Sequence, residues 1–224
     1  MSHPLDRPIW NALATHQSEL ALGDVRARAF DSRYAYFAAG ADDSDESQAA
    51  LRDLIPPGGE VCLVEAQAPP IPPGATLVER APVNQMIAEG FAAAKPRADI
   101  ELLTEADAPA MTDLAMLTRP GPWLEWTHRL SPFLGVRIDG RLAAMAGERL
   151  HPAGYSEVSA VCTHPDFQGR GLGAALTVAV AGRIAARGET PFLHAYPSNV
   201  GAIRLYERLG FRLRQTMTLT VLGR

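Results

Sequence analysis

The sequence is poor in the features that mark membrane, nucleic-acid-binding and disulfide-bonded proteins. Its 224 residues include two cysteines, and 21 Lys and Arg against 25 Asp and Glu give a formal net charge of -4. No basic run is interleaved with aromatic residues, which argues against a nucleic-acid partner. No apolar stretch approaches the roughly 18 residues of a membrane span, and the first residues lack the apolar core of a signal peptide. We therefore expect a cytoplasmic protein with no nucleic-acid and no membrane partner, in an oligomeric state that the sequence leaves open.

Metal ligands and nucleophiles are also few. Cys62 and Cys162 each lie in an apolar, strand-like run, where a buried and unreactive thiol is expected rather than a disulfide or a nucleophile. The acidic stretch 42–46 lacks the spacing of a metal-binding loop and fits a solvated helix start. The sequence therefore predicts no metal site.

Residues 1–95 are predicted to form a first α/β region without a catalytic constellation. The pattern indicates a helix over 44–54 that begins at a serine, a strand over 60–65 and another helix near 83–94. Residues 95 and 96 are Lys-Pro and mark the predicted boundary, because the residue before a proline disfavours the helical conformation. Residues 96–224 would then form the second domain.

The most informative stretch of the second region is 157–175. An alternating, β-branched run over 157–163 is stopped at Pro165, and an apolar residue at every fourth position follows from Leu172 to Ile184. Between them lies a glycine-rich turn. A strand, a glycine turn and a helix N-terminus direct unpaired amides and the positive end of the helix dipole at one spot, which favours an anion such as phosphate. The alternative is a helix start whose glycines only permit tight packing against the sheet.

The rest of residues 99–224 is predicted as strand, helix, loop and three strands before the central helix, then strand, helix and two strands. A turn at 139–140 has the Asp-Gly sequence of a tight hairpin. The loop at 120–128 carries Trp123 and Trp126. Large aromatic side chains in a loop either anchor a neighbouring core or form the wall of a pocket, and the sequence does not decide between the two.

Two motifs follow one another in the second region. The first is at Gln168, Gly171 and Gly173, and the second is at Asn199, Ala202, Leu205, Tyr206, Gly210 and Phe211. Together they make residues 99–224 similar to the GNAT superfamily of N-acetyltransferases, whose acyl-CoA signature the first motif resembles. The segments TRPGPW at 118–123 and MAGER at 145–149 resemble a bacterial branch related to the glycine N-acyltransferases. The resemblance implies an α/β (α+β) fold with a mixed, mostly antiparallel central sheet flanked by helices. In such relatives the N-terminal region can be a degenerate copy of the GNAT fold, which makes residues 1–95 a candidate for one.

The resemblance also implies acetyl-CoA as the cofactor. Its pyrophosphate would lie on the amides of the glycine turn, and its pantetheine arm would pair between the central strand and the strand over 191–196. A backbone amide near Cys162 would polarise the thioester carbonyl. The residues expected to bind the cofactor are Val161, Cys162, Thr163, Gln168, Gly169, Arg170, Gly171, Leu172, Gly173, Ala174, Asn199, Ala202 and Tyr206.

Acetyl transfer to an amine needs a proton acceptor, because an amine is protonated near neutral pH. Glu157 is the first candidate, since it lies eleven residues before the signature glutamine, where some relatives carry a carboxylate base. Glu148 is the second candidate and a water relay the third. Tyr206 matches the family's tyrosine near the CoA sulfur and is expected to protonate the departing thiolate. His164 and His194 are interpreted as structural histidines.

The expected function is that of an N-acetyltransferase that moves an acetyl group from acetyl-CoA to a primary amine by direct attack in a ternary complex. The acceptor, a small-molecule or peptide amine, is expected near Trp123, Trp126, His128 and Glu148. A non-catalytic acyl-CoA sensor or partner-binding module is the alternative, because it would need the phosphate turn alone. A nucleotide-binding enzyme is disfavoured, since no acidic strand end follows roughly twenty residues after the turn and no Gly-Lys-Ser/Thr occurs.

Overall fold

The computed structural model of the protein describes residues 3–92 and 98–224. Within these ranges the α-helices are α1 Pro8–Ala14, α2 Asp45–Leu54, α3 Ala108–Thr118, α4 Leu172–Ala186 and α5 Val200–Arg208. The strands there are β1 Ala21–Gly23, β2 Ala27–Phe30, β3 Ala38–Gly40, β4 Glu60–Glu65, β5 Thr76–Ile87, β6 Glu101–Leu102, β7 Leu134–Ile138, β8 Arg141–Glu148, β9 Tyr155–Thr163, β10 Thr190–Ala195 and β11 Arg212–Gly223.

The chain divides into two compact units that interleave along the sequence. Unit 1 consists of Met1–Gln85, Leu150–Ala153 and Leu213–Arg224, and unit 2 consists of Met86–Arg149 and Gly154–Arg212. The boundary predicted between residues 95 and 96 lies outside the described residues. The domain ranges 1–95 and 96–224 therefore stay a prediction.

Unit 1 confirms the predicted helix near 44–54 and the strand over 60–65. Helix α2 begins after Ser44, whose hydroxyl accepts a hydrogen bond from the Ser47 amide at 3.3 Å, as expected of an N-cap. Strand β4 pairs antiparallel with β11, and β1, β2 and β3 form a separate antiparallel sheet. Leu51, Ile55 and Leu63 belong to the buried core of this unit.

The helix predicted near 83–94 is wrong over its described part. Val83, Met86 and Ile87 have the spacing of a helical face, yet they lie in strand β5, which extends to Ile87. In unit 1 this strand lies beside β11. The sheet supplies hydrogen-bond partners to the extended backbone, and this long-range pairing outweighs the local spacing of apolar residues.

The sheet of unit 2 has the strand order β10-β9-β8-β7-β6. Strand β10 is parallel to β9, and the other neighbouring pairs are antiparallel. The predicted hairpin joins β7 to β8, where Asp139 and Gly140 both have positive φ, as a type I′ turn requires. The predicted fold class, a mixed and mostly antiparallel sheet flanked by helices, is confirmed.

Helices α3 and α4 contribute to separate hydrophobic clusters with the strands of this sheet. The cluster of α3 includes Met111 and Leu114, and the cluster of α4 includes Leu176 and Ile184, all of which are buried. No α-helix within residues 3–92 and 98–224 is both long and apolar enough to cross a membrane. The sheet is therefore held by apolar packing from two helices, which fixes the strands that carry the candidate site.

Candidate functional site

The centre of the candidate site is the place where strands β9 and β10 separate. These parallel strands are in register at Thr190 opposite Tyr155, at the next pair, and finally at Phe192 opposite Glu157. Both strands continue beyond this last pair, to Thr163 and Ala195 respectively. Two parallel strands that stop pairing while both remain extended leave a wedge between them, with backbone groups along its sides that can pair with an extended ligand.

A bulge in β9 shapes one side of this wedge. Met145 lies opposite Cys162 and Gly147 lies opposite Ser159, so β9 contains one more residue than β8 between these pairs. The extra residue is accommodated at Ala160, which has a φ of 52°, an unusual value for a residue with a Cβ. A bulge interrupts the ladder and leaves local backbone groups without strand partners. The bulge therefore bends β9 between Ser159 and Cys162, just beyond its last pair with β10.

The glycine turn leads from β9 into helix α4. Gly169 and Gly171 have φ values of 76° and 74°, which glycine adopts without strain. Gly171 is the N-cap of α4 and no side chain caps the helix, and its first turn carries no acidic residue. The first intrahelical bond runs from the Ala175 amide to the Gly171 carbonyl at 3.0 Å. The preceding amides of the first turn are thus oriented outward, as in an anion site.

The surroundings of these glycines leave room for a ligand. A Cβ placed on Gly169 or on Gly171 would meet no atom within 4 Å. A Cβ on Gly173 would instead reach Thr163 Oγ1 at 3.6 Å and Val161 Cγ1 at 3.7 Å. Gly169 and Gly171 therefore border open space in front of the helix, whereas Gly173 faces strand β9.

A basic and aromatic cluster lies next to the turn. The guanidinium groups of Arg141 and Arg170 lie 5.2 Å and 5.3 Å from the centre of the Phe167 ring. Arg141 also forms an ion pair with Asp166 at 3.1 Å. Cation–π contact of this kind holds a guanidinium beside the turn while its charge remains available to an anion.

Glu157 is buried and forms ion pairs with Arg149 and His194. Its side chain is 1% exposed. Its carboxylate accepts hydrogen bonds from Arg149 Nε at 2.9 Å and Arg149 Nη2 at 2.6 Å, and His194 Nδ1 lies 2.7 Å from Oε1. Burial raises the pKa of the Glu157 carboxyl, but the charges and hydrogen bonds of Arg149 and His194 outweigh burial and lower the pKa to about 2. A carboxylate with so low a pKa is a weak base at neutral pH.

Glu148 is paired in a similar way on the neighbouring strand. Its side chain is 2% exposed, and its carboxylate accepts hydrogen bonds from Arg187 at 2.5 Å and 3.1 Å. Arg187 also contacts Glu189 at 2.9 Å. Both candidate bases are therefore buried carboxylates that face an arginine.

Tyr206 is a largely buried tyrosine on α5. Burial raises the pKa of its phenol, so the hydroxyl is protonated at neutral pH. The ring packs edge-on against Phe211 at 6.1 Å between centroids. Among the described residues, the Tyr206 hydroxyl makes no hydrogen bond. The side chain is thus held by apolar packing, and its hydroxyl is protonated at neutral pH.

Asn199 is a helix cap and Cys162 is a buried thiol. Asn199 caps α5, with its side-chain oxygen accepting from the Ala202 amide at 3.2 Å. Burial raises the pKa of the Cys162 thiol to about 11. The thiol is therefore neutral and unreactive at physiological pH, in agreement with the expected buried and unreactive cysteine.

A pocket opens beside the bulge, and Glu148 is the one residue of the predicted acceptor group that lines it. The other lining residues come from the loop after α3, from β9 and from the end of β8. The lining residues are Pro120, Gly121, Pro122, Thr127, Leu130, Phe133, Glu148, Arg149, Ser159 and Ala160. Sequence reasoning missed Arg149, Ser159 and Ala160. The proline-rich segment before the tryptophans was the available signal for the loop.

The other three residues predicted for the acceptor, Trp123, Trp126 and His128, lie outside the pocket lining. Trp123 donates a hydrogen bond to Thr112 Oγ1 at 3.1 Å and meets Phe133 edge-on, with 5.4 Å between centroids. Trp126 packs under the Arg129 guanidinium at 5.0 Å. His128 Nε2 lies 3.3 Å from Glu105 Oε2, and within the described structure its buried Nδ1 has no hydrogen-bond partner. For Trp123 the contacts favour the anchoring role.

Solved structures share this fold along the whole chain. A GNAT-family protein from Novosphingobium aromaticivorans is 50% identical, with a TM-score of 0.92 over 100% of this chain and 99% of that chain. A GCN5-related N-acetyltransferase from Kribbella flavida is 21% identical, with a TM-score of 0.66 over 96% of this chain and 95% of that one. The second likeness shows the fold alone.

Sequence relatives match the part that carries the site. The family described as FR47-like protein matches residues 133–220. The ribosomal protein bS18-alanine N-acetyltransferase of Salmonella typhimurium is 32% identical over 118 residues, which are 50% of this chain and 79% of that protein. A mycothiol acetyltransferase of Saccharopolyspora erythraea is 35% identical over 88 residues, which are 39% of this chain and 29% of that relative. The chain thus spans less than a third of the length of the mycothiol acetyltransferase that it matches.

The fold and the sequence similarity converge on one class of enzyme, the acetyltransferases. The whole-length match at 50% identity and the match to most of the Salmonella protein carry this conclusion. The chain belongs to the GNAT family of acetyltransferases.

Proposed function

We propose that the protein is an N-acetyltransferase that moves an acetyl group from acetyl-CoA to a primary amine by direct attack in a ternary complex. The observation that carries the proposal is the wedge between β9 and β10, which leads to an uncapped helix N-terminus. An extended arm that ends in a pyrophosphate needs this combination of unpaired strand edges and outward amides. The cytoplasmic location expected from the sequence stays an expectation.

The residues around the wedge fit acetyl-CoA. The amides of the first turn of α4 would hold the pyrophosphate, since no acidic side chain of that turn opposes an anion. Arg170, beside the turn on Phe167, would add a positive charge. Backbone groups of Val161 and Thr163 would pair with the pantetheine arm. Asn199 would contribute its side-chain amide N–H groups, because its oxygen caps α5.

The reaction needs polarisation of a carbonyl, deprotonation of an amine and protonation of a thiolate. Bound acetyl-CoA supplies the thioester. A backbone amide near Cys162 would stabilise the oxyanion, and Tyr206 would donate its proton to the departing sulfur. The neutral Cys162 thiol supports direct attack rather than an acyl-cysteine intermediate. The deprotonation would fall to a water relay rather than to the Glu157 carboxylate itself, because its ion pairs with Arg149 and His194 make that carboxylate a weak base.

The acceptor would enter through the pocket lined by Glu148, Arg149 and Ser159. This pocket adjoins the bulge at Ala160, so an amine held there would approach the thioester from the side opposite α4. One relative is named for an alanine of a ribosomal protein and another for mycothiol. Because the relatives are not named for a common acceptor, we propose a primary amine, on a small molecule or a peptide, without naming one.

Turnover tests this proposal. The purified protein would be incubated with acetyl-CoA and a panel of primary amines, and free CoA thiol and the mass of the acetylated product would be measured together. We expect release of CoA only in the presence of some of the amines. If no amine in a panel of amino acids, polyamines, aminoglycosides and peptide N-termini accelerates CoA release, the enzyme proposal is wrong and the sensor alternative takes its place.

A further inference from the structure

The pocket beside the bulge at Ala160 contains few groups that could take up a proton. Of the ten described residues that line it, two carry titratable side chains, Glu148 and Arg149. Arginine stays protonated in proteins, so Glu148 is the one candidate base among these lining residues. An acceptor amine that reaches the pocket therefore meets a single carboxylate.

That carboxylate is bound through both of its oxygens. Glu148 Oε1 accepts from Arg187 Nη1 at 3.1 Å, and Glu148 Oε2 accepts from Arg187 Nη2 at 2.5 Å. Hydrogen bonds between a guanidinium and a carboxylate are strong because both groups are charged. A proton can therefore be added to Glu148 only at the expense of this ion pair, which makes the carboxylate a poor acceptor for the proton of an ammonium group.

Arg149 brings the opposite charge to the pocket wall. Its guanidinium pairs with Glu157, whose side chain is 1% exposed and whose pKa is about 2. His194 contacts Glu157 and His128 contacts Glu105, and neither histidine is among the described residues that line the pocket. Both charges of the lining thus have a counter-ion. An ammonium group would lose its hydration here without gaining an unengaged carboxylate, so the pocket favours the neutral form of an amine.

The Ser159 side chain adds a polar group with open hydrogen-bonding capacity. Ser159 is half-buried and lies opposite Gly147 in the register of β8 and β9. Its hydroxyl makes no hydrogen bond with any described residue, whereas the Thr127 hydroxyl accepts from the Leu124 amide at 2.8 Å. A serine hydroxyl can donate to a carbonyl oxygen. The pocket therefore offers a donor to an acceptor that carries a carbonyl group close to its amine.

The pKa of an amine determines how much of it is neutral. The α-amino group at the start of a peptide has a pKa of about 7.7–8.0, against about 10.4 for a lysine side chain. Near pH 7.5 about a third of such α-amino groups are neutral, compared with about one lysine side chain in 800. An α-amino group next to an amide carbonyl therefore satisfies both features of the pocket, the preference for a neutral amine and the donor for a carbonyl.

Building on the proposed function, we propose that the acceptor is the α-amino group of an aminoacyl amide, which enters as the free amine while Ser159 hydrogen-bonds to its carbonyl oxygen. An aminoacyl amide is an amino acid joined through its carboxyl group to a nitrogen, as at the first residue of a peptide or in a small aminoacyl conjugate. Ser159 is thus a residue that determines specificity.

The protons balance without a base on the enzyme. The ammonium form of the acceptor gives its first proton to water, and the free amine forms the new N–C bond to the thioester carbon as the C–S bond breaks. Tyr206 gives its proton to the departing sulfur. The second proton of the amine nitrogen replaces the one that Tyr206 has given, so the enzyme returns to its starting state.

Three acceptors test the substrate class at pH 7.5. They are a pentapeptide with one internal lysine, the same peptide with a formylated N-terminus, and an amino-acid amide. We expect kcat/KM for the free peptide to exceed that for the formylated peptide by about 100-fold or more, with the acetyl group on the α-amine by mass spectrometry. The larger kcat/KM of peptide and amide identifies the source of the aminoacyl amide. Equal turnover of the formylated peptide would overturn the inference.

The pH profile tests the form in which the acceptor enters. Since kcat/KM reports the free enzyme and the free substrate, it should rise to a midpoint at the acceptor's own amine pKa and stay level above it. A profile that is level below this pKa and falls above it would mean that the ammonium binds and that a group of the enzyme takes its proton. That result would overturn the inference and leave the proposed function intact, whereas absence of turnover with every amine would overturn both.

Ser159→Ala tests the contact to the carbonyl. We expect KM for the peptide to rise about tenfold, with kcat and the Kd for acetyl-CoA within a factor of three of wild type. Ser32→Ala, at an exposed serine of unit 1, is the matched control and should retain the wild-type KM. An unchanged KM in Ser159→Ala would overturn the role given to Ser159.

Discussion

The buried carboxylate of Glu157 should make the stability of this protein depend on pH in a defined window. Its folded-state pKa of about 2 lies below its ordinary value of 4.5. A group whose pKa is lowered on folding stabilises the folded state above its unfolded pKa, and this contribution is lost as the pH falls toward the folded pKa. The lowered pKa corresponds to about 3 kcal/mol of stabilisation of the folded state at neutral pH.

Glu157→Gln removes the titration but keeps the size of the side chain. It also leaves Arg149 and His194 facing a neutral amide, and loss of one partner of a buried ion pair costs about 3–5 kcal/mol. We therefore expect wild type to be more stable than the variant by about this amount near pH 7. The stability difference between wild type and Glu157→Gln should shrink by about 1 kcal/mol at pH 4 and by about 2 kcal/mol at pH 3.

Urea unfolding monitored by circular dichroism, at several pH values between 7 and 3, measures this difference. The control is Glu207→Gln, because Glu207 is exposed on α5, and its curve should follow wild type throughout. A stability difference between wild type and Glu157→Gln that stays constant over this range would refute the argument. A variant as stable as wild type at pH 7 would show that the ion pairs do not hold the strands.

Three further outcomes are expected. Gly147→Ala should destabilise the folded protein by about 1–3 kcal/mol in urea unfolding, because the new Cβ would lie 2.7 Å from the Phe133 ring. The control Gly201→Ala, which has open space around its Cβ, should stay within about 1 kcal/mol of wild type. Equal stabilities of the two variants would contradict the packing around Gly147. Cys162, with a thiol pKa of about 11, should resist alkylation by iodoacetamide at pH 8 until the protein is unfolded, as measured by mass spectrometry. Rapid labelling of Cys162 in the native protein would contradict its burial. Tyr206→Phe should lower kcat by about 100-fold without changing the Kd for acetyl-CoA, and an unchanged kcat would remove it from the reaction.

The local signals in the sequence were sufficient wherever neighbouring residues decide the conformation. Ser44 before an acidic turn marks the start of α2, and the Asp-Gly pair marks the hairpin at Asp139. The glycine turn was likewise recognisable, since its conformation depends on Gly169 and Gly171 themselves. In each case the determining interactions span only a few residues.

The sequence failed where distant strands decide. Residues 83–87 have helical spacing but lie in β5, because their backbone pairs within a sheet. The partners of Glu157 could not be predicted, since Arg149 reaches it across the β8–β9 pair and His194 reaches it from β10. Strand register, which is set by the whole core, brings these three side chains together.

The most direct test of the account is the titration of the protein with acetyl-CoA in an isothermal calorimeter, for wild type, Gly171→Asn and Gly188→Asn. Asparagine tolerates positive φ better than most residues, and a Cβ at either position meets no atom within 4 Å. Gly171 precedes α4 and Gly188 follows it, so the two variants make the same change at opposite ends of one helix. We expect micromolar binding to wild type and Gly188→Asn and at least tenfold weaker binding to Gly171→Asn. Equal affinities in all three proteins, or no binding to wild type, would contradict the assignment of the glycine turn as the cofactor site.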